Sequence, residues 1–265
     1  MTARPPRAAP EGAKKGRPPA GGVAEPGPVG VRALLFDLDN TLVDFMRMKR
    51  TASDAAARAM VTAGADFGFP SDKAGEMLFG EYLDAIEGNG VFETFLRRHH
   101  RQKLGLSAHA VDRITAAAVN AYLKTKLLHT EPYPKVRSTL VALTRAGLRL
   151  GVLTDAPRFK AYQRLEAAGL VEFFDFVVTA TDTGATKPMP QAFKAALDLF
   201  GLPPNQVLMV GDWPEKDMVG AKVAGMRTAW ARYGKPGHAI PPEAEWVLDS
   251  VEGLIPLLGL APSNR

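Results

Sequence analysis

Five short apolar runs recur along the chain: Ala33–Leu38, Arg149–Thr154, Phe176–Thr179, Val207–Val210 and Thr228–Ala231, with a weaker sixth at Glu245–Leu248. Each is followed by small or polar residues and then by a segment of helical periodicity. Apolar strands alternating with amphipathic helices argue for a parallel sheet, because each crossover carries a helix back over one of its faces. The helices have recognisable ends. Pro190 opens one that sets Phe193, Ala196, Leu197 and Phe200 on a single face, and Gly201 closes it. Pro134 precedes Val136, Leu140 and Leu143, and Gly147 ends that helix, while Gly169 and Gly225 end two more. The expected fold class is α/β, a parallel sheet covered by helices on both faces.

The rhythm breaks once. Between Phe45 and His129 no strand pattern occurs, and helical patterns fill the interval. Ala52, Ala55, Ala56, Ala59, Met60 and Ala63 fall on one face before Gly64, and further helices are expected near Ser71–Ile86, Phe92–Leu104 and Ala108–Leu127. The expected organisation is an α/β core of residues 31–44 and 130–265 with a helical domain of residues 45–129 inserted after the first strand. Residues 1–30 are rich in Pro, Gly, Ala and Arg and have almost nothing to bury, so a disordered, solvated tail is expected there.

Composition excludes several classes of function. The 265 residues carry no cysteine, so a disulfide, a thiolate metal site and a cysteine nucleophile are all ruled out. No apolar run is long enough to span a bilayer and no signal-peptide segment is visible, so a cytoplasmic protein is expected. The net charge is +5, but Arg4, Arg7, Lys14, Lys15 and Arg17 against Glu11 and Glu25 place +3 of it in the tail. The near-neutral remainder gives no reason to expect nucleic acid or a membrane as partner.

The chemistry gathers at the strand ends. In an open parallel sheet, ligands bind beyond the carboxyl ends of the strands. Here the first strand runs into Asp37, Asp39 and Thr41, the second ("LGVLTDAP") ends in Thr154 and Asp155, the third is followed by "DTGATKP" with Lys187, and the fourth ("VLMVGDWPEKD") leads to Asp212 and Asp217. Two carboxylates about 4 Å apart repel by roughly 4 kcal/mol at an effective dielectric near 20. A cluster of several needs a cation, or some members must be protonated. Oxygen donors alone favour a hard ion such as magnesium, and Lys187 with Thr154 can cradle a dianion.

Asp37-Leu38-Asp39-Asn40-Thr41 resembles the D-x-D-x-T signature of the haloacid dehalogenase-like (HAD) hydrolase superfamily. Thr154 matches its second motif, Lys187 its third, and "GDWPEKD" its acidic fourth, in order from Val31 to about Leu260. The resemblance implies a Rossmann-like core and makes the helical insert a cap domain, as in members acting on small soluble substrates. It implies a magnesium-dependent phosphatase in which Asp37 is the nucleophile and forms an aspartyl-phosphate, while Asp39 is the general acid and base. Asp37, the backbone carbonyl of Asp39, Asp212 and Asp217, directly or through water, would bind magnesium. Thr154, Lys187 and the backbone N–H of Asp155 would hold the phosphoryl oxygens. The partner implied is a small phosphorylated metabolite, and a monomer or homodimer is expected.

Within the superfamily, dehalogenases lack the second aspartate and need no magnesium, so Asp39 and Asp212 argue against dehalogenation. Phosphomutases commonly have glycine and an aliphatic residue where this chain has Asn40-Thr41. Phosphonate hydrolases need a cap lysine. The insert holds Lys49, Lys73, Lys103, Lys124 and Lys126, which leaves that alternative open, although an alanine-rich helical surface gives no sign of a buried lysine. A non-catalytic binding protein on the same fold is the other alternative, and the intact motif set opposes it. Arg47, just past the first motif, is a candidate substrate contact. Trp213 is expected to pack, Arg158 to decorate the start of its helix, and the adjacent His99 and His100 to make a poor metal pair.

Deleting residues 1–30 should leave melting temperature and catalytic rate nearly unchanged, because that composition cannot bury a core. A large loss of either would show that the tail docks on the domain.

Overall fold

The computed structural model describes residues 30–83, 90–101 and 105–261. Apart from Gly30, the expected disordered tail lies outside the described residues, as do Lys103 and the final residues of the helices expected at 71–86 and 92–104. In chain order the elements are β1 Ala33–Phe36, α1 Phe45–Thr62, α2 Ser71–Leu83, α3 Gly90–His99, α4 Ala108–Leu128, α5 Val136–Arg145, β2 Arg149–Thr154, α6 Arg158–Ala167, β3 Phe176–Thr179, α7 Ala180–Thr183, α8 Pro190–Phe200, β4 Val207–Gly211, α9 Val219–Val223, β5 Arg227–Ala231, β6 Trp246–Leu248 and α10 Leu254–Leu257. They fall into two compact units, Met1–Val43 with Pro132–Arg265, and Asp44–Glu131.

The first unit holds one six-stranded sheet in the order β3-β2-β1-β4-β5-β6, with every neighbouring pair parallel. This is the Rossmann-like doubly wound order. Side chains alternate through the sheet with a period of two. Leu34 and Phe36 join Val152 and Val210 in one apolar cluster, with Val136, Leu140 and Leu143 of α5, Ala161 and Leu165 of α6, and Leu254 of α10. Ala33 and Leu35 join Leu153 and Met209 in another, with Phe193 and Ala196 of α8 and Ala221 of α9. Because both faces are covered, every second residue is as apolar as its neighbours, and the strands read as continuous hydrophobic runs.

The first strand is shorter than its apolar run suggests. It ends at Phe36, although Leu38 is fully buried, because the backbone has already begun to turn. Asn40 lies at φ 60°, and the carbonyl of Leu38 accepts from the N–H groups of both Leu42 and Val43 at 3.0 and 3.1 Å. Asparagine tolerates this left-handed conformation better than most residues with a side chain. The turn carries Asp37 and Asp39 past the end of the sheet.

The second unit is helical, with a core built from Ala52, Ala56 and Met60 of α1, Leu78 of α2, Phe92 and Phe95 of α3, and Ile114 and Tyr122 of α4. One expectation fails here. Lys49 and Lys126 are buried, because a long aliphatic stem can occupy an apolar stripe; the Lys49 ammonium lies 5.0 Å from the centre of the Phe45 ring. The two histidines have separate tasks. His99 Nε2 meets Glu81 at 2.9 Å, and His100 Nδ1 accepts from the backbone N–H of Asp66 at 3.0 Å.

Phe193 is fully buried between α8 and the sheet. Phe193→Ala should lower unfolding free energy by about 3–5 kcal/mol, read as a shift of the urea midpoint.

Candidate active site

From β1 the chain winds outward through β2 to β3, then crosses back to β4 and winds out the other way. The reversal leaves a crevice beyond the carboxyl ends of β1 and β4, which are paired through Phe36 and Val210. Asp37 follows β1 directly, and its N–H donates to the Val210 carbonyl at 2.9 Å. Asp212 follows β4. Asp217 comes from a π-helical turn, Pro214–Met218, and Lys187 from the segment between α7 and α8.

These four side chains meet in the interior. Lys187 Nζ donates to Asp37 Oδ1 at 2.5 Å and to Asp217 Oδ1 at 2.6 Å. Asp37, Asp212 and Asp217 each offer a carboxylate oxygen, all within 4.8 Å of one another, and all three residues are buried. The other Asp217 oxygen accepts from the Trp213 N–H at 2.9 Å. A Cβ at position 211 would collide with the Asp217 carboxylate, so only glycine lets the π-helical turn close over the end of β4.

Surrounding contacts hold the backbone of the cluster. Asp155 Oδ1 accepts from the Lys187 N–H at 2.8 Å and Oδ2 from Lys216 Nζ at 3.0 Å, tying the Lys187 segment to the end of β2. The Asp212 carbonyl accepts from Trp230 Nε1 at 2.9 Å, and the Thr41 carbonyl from the Tyr233 hydroxyl at 2.8 Å. A Cβ on Gly234 would strike the carbonyl of Asn40, so the segment after β5 lies directly on the turn that bears Asp37 and Asp39. Thr154 is buried at the end of β2, and its Oγ1 accepts from the Ala156 N–H at 3.2 Å.

The electrostatics follow from burial. Asp37 is held well above the usual carboxylate range, chiefly by desolvation; Lys187 opposes the shift, and Asp217 and Asp212 add to it. Asp212 is pushed up to about 7 by burial and by Asp217, against Lys187 and Lys235. For Lys187, burial works against the charged form, but Asp217, Asp37 and Asp155 outweigh it and raise the pKa. One ammonium among three carboxylates leaves two negative charges when all are ionised, which one divalent cation neutralises. The donors are all oxygens, as a hard ion such as magnesium requires, with neither histidine nor sulfur in the cluster. The residues therefore fit a magnesium-type ion. Asp37 and Asp212 suit direct contact, while Asp217, with both oxygens already accepting, suits contact through water.

The Asp39 carboxylate is not part of this cluster. Asp39 Oδ2 accepts from Arg164 Nη1 at 2.6 Å. Arg47 belongs to the helical unit, where its largely exposed side chain lies 3.8 Å from Glu131. Arg158 pairs with Asp182 at the start of α6, in keeping with a decorating role. Trp213 does not pack as expected. It is 43% exposed, with the Lys235 and Lys216 ammonium groups 3.6 and 4.9 Å from the ring centre, because it sits where β4 gives way to the π-helical turn. Arg164, Trp230, Tyr233 and Gly234 carry no motif, Lys216 fills an unspecified position of the fourth, and none was anticipated as a site residue. Only Arg164 leaves a trace in sequence, as a charge on the stripe that holds Ala161 and Leu165.

Residues 31–225 match the haloacid dehalogenase-like hydrolase family. The chain belongs to that family. It is 34% identical over 210 residues to a glyceraldehyde 3-phosphate phosphatase of Methanopyrus kandleri, spanning 77% of this chain and 85% of that one. A phosphoglycolate phosphatase of Yersinia pseudotuberculosis is 30% identical over 232 residues, 87% of this chain and 94% of the other. The crystal structure of a HAD phosphatase from Thermococcus onnurineus aligns with a TM-score of 0.55 at 25% identity, covering 87% of this chain and 99% of that chain. Family and relatives together make this chain an enzyme of the phosphatase kind. No described helix is long and apolar enough to cross a membrane.

Asp212 titrates near 7 in the folded chain against 3.8 for an ordinary aspartate. Between those values the folded state holds a proton that the unfolded state has released. Stability of the metal-free protein should therefore fall as pH rises from about 4 to about 7, since the native state binds more protons across that window. Magnesium, if held by Asp212, should displace that proton and offset the loss. Thermal unfolding should show a larger magnesium-induced rise in Tm at pH 8 than at pH 5. Equal shifts at both would exclude Asp212 as a ligand.

Proposed function

We propose that this enzyme hydrolyses small phosphomonoesters with magnesium, through an aspartyl-phosphate formed on Asp37. The observation that carries the proposal is the buried constellation of Asp37, Asp212 and Asp217 around Lys187 at the switch of the sheet. A carboxylate poised as nucleophile, a cation site beside it and an ammonium for the phosphoryl oxygens are what phosphoryl transfer requires, because its catalysis is mainly positioning and charge stabilisation.

In this scheme an Asp37 oxygen attacks phosphorus as the bond from phosphorus to the bridging oxygen breaks. Asp39 gives its proton to the departing alkoxide. A water then attacks the phosphorus of the aspartyl-phosphate, Asp39 takes the proton that water loses, and inorganic phosphate leaves with Asp37 regenerated. Lys187, Thr154 and the Asp155 N–H hold phosphoryl oxygens throughout. Magnesium bound by Asp37, Asp212, the Asp39 carbonyl and, through water, Asp217 would neutralise charge on the phosphoryl group. The ammonium of Lys187, which binds Asp37 in the free protein, turns to the substrate when the phosphoryl group arrives.

The helical unit of residues 45–129 is assigned the role of substrate-selecting cap, with Arg47 as a candidate contact. Short phosphorylated metabolites are the proposed substrate class, in line with relatives named for glyceraldehyde 3-phosphate and phosphoglycolate.

Asp37→Asn should abolish turnover, since an amide is a poor nucleophile and weakens the cation site. Asp39→Asn should lower kcat by about 10²- to 10⁴-fold on an alkyl phosphate and by less on an aryl phosphate, whose leaving group needs little protonation. Steady-state rates on both substrates, with magnesium present and chelated, check this. Near-parental magnesium-dependent hydrolysis by Asp37→Asn would overturn the mechanism and favour a binding protein on this fold.

A further inference from the structure

Helix α6 buries Ala161, Arg164 and Leu165 at the spacing of a single stripe. Two of the three are apolar and join the main core, and the third is a full guanidinium. The Arg164 side chain is only 7% exposed, and Nη1 donates to Asp39 Oδ2 at 2.6 Å across 125 residues of sequence. Withdrawing a guanidinium from water is costly, and an apolar side chain of similar length would fill the stripe without that cost. Net stability therefore does not explain the pair.

What the pair does is geometric. The Asp39 backbone is held by its bridge to Val43 and by the turn at Asn40, but those contacts leave the carboxyl plane undetermined. A charge-assisted bond from a buried, planar donor determines it. Fixing Oδ2 fixes the direction of Oδ1 as well. Because Oδ2 faces a guanidinium, which offers donors only, a proton on the carboxyl resides on Oδ1.

Resting on the acid/base assignment of Asp39, we infer that Arg164 is a positioning residue that aims Asp39 Oδ1 for proton transfer. In the first step the O–H bond at Oδ1 breaks and its proton passes to the bridging oxygen as that oxygen leaves phosphorus. In the second step Oδ1 takes a proton from water as the water oxygen bonds to phosphorus and the bond from phosphorus to Asp37 breaks. Arg164 keeps its bond to Asp39 Oδ2 through both steps and exchanges no proton.

The test compares Arg164→Met, Arg164→Lys, Asp39→Asn and the double variant Asp39→Asn/Arg164→Met on an alkyl and an aryl phosphate. Folding is checked by thermal unfolding, and the phosphoenzyme is followed by intact mass after acid quench. Arg164→Met should lower kcat on the alkyl phosphate by about 10- to 100-fold with KM changed less than about twofold, as expected for a misaimed group. Phosphoenzyme formation from the aryl phosphate should be spared, and its breakdown slowed. In the Asp39→Asn background the same substitution should change kcat by less than about twofold, because the aimed group is already gone. Arg164→Lys, which keeps the charge on a shorter reach, should lose less, with the loss in phosphoenzyme formation again confined to the alkyl phosphate.

Equal losses in the rate of phosphoenzyme formation from both substrates, or additivity with Asp39→Asn, would overturn the inference and leave Arg164 a packing residue. If Arg164→Met fails to fold, Arg164→Lys decides: no loss, or an equal loss in phosphoenzyme formation from both substrates, counts against. If Asp39→Asn itself shows no dependence on the leaving group, the acid/base assignment has failed and the inference falls with it. If Asp39→Asn shows that dependence and the Arg164 variants do not, only the inference falls.

Discussion

The Lys187 ammonium, buried between Asp37 and Asp217, is the interaction on which the site depends. Three carboxylates cannot stay ionised in a desolvated crevice by themselves; their mutual repulsion and the loss of water would drive protons onto them. Lys187 removes one unit of that charge and divides the rest, with Asp37 on one side and Asp217 on the other. Its position is in turn imposed from outside the cluster, since Asp155 binds its backbone N–H and so couples the end of β2 to the segment after α7. Removing Lys187 would therefore do more than delete a contact. It would push Asp37 and Asp212 still further above the ordinary carboxylate range.

Around that centre the protein fixes backbone rather than adding charge. Trp230 holds the Asp212 carbonyl, Tyr233 holds the Thr41 carbonyl, and Gly234 lets the chain after β5 rest against Asn40. β5 contributes no carboxylate to the cluster, yet it and the segment after it steady both acidic turns. The sheet makes this possible. With both faces buried, its strand ends are stiff, and side chains carried one or two residues beyond them inherit that stiffness. The Arg164–Asp39 pair extends the same principle to a helix, where a buried stripe normally reserved for packing delivers a hydrogen-bond donor.

Much of this was legible in the chain. The strands at Arg149–Thr154 and Phe176–Thr179 and the helix at Pro190–Phe200 appear with the boundaries that apolar runs and punctuating residues mark. Strand β1 departs from its apolar run because Leu38 is buried by the turn rather than by pairing, and hydrophobicity does not separate those causes. Asp37, Thr154, Asp155, Lys187, Asp212 and Asp217 could be singled out because each directly follows or ends a strand, or lies on a loop that must return to that edge. The buried Lys49 and Lys126 and the exposed Trp213 were misjudged for one reason: average preferences of a residue type ignore what a long stem or a turn permits locally.

Local chemistry, written in order along the chain, determined the strands, the helices, the interruption between Phe45 and His129 and the residue types at each strand end. Strand order was not local. That β1 lies between β2 and β4, and so brings Asp37 beside Asp212, follows from where crossover helices can pack, a matter of the whole sheet. The partners of Lys187, the tie from Asp155 to its backbone, the close approach of Gly234 to Asn40 and the reach of Arg164 to Asp39 were likewise decided only in three dimensions. Contacts across 125 or 150 residues leave no periodicity for a sequence to display. They exist because folding brings separate segments to one edge, where burial makes each charge choose a partner.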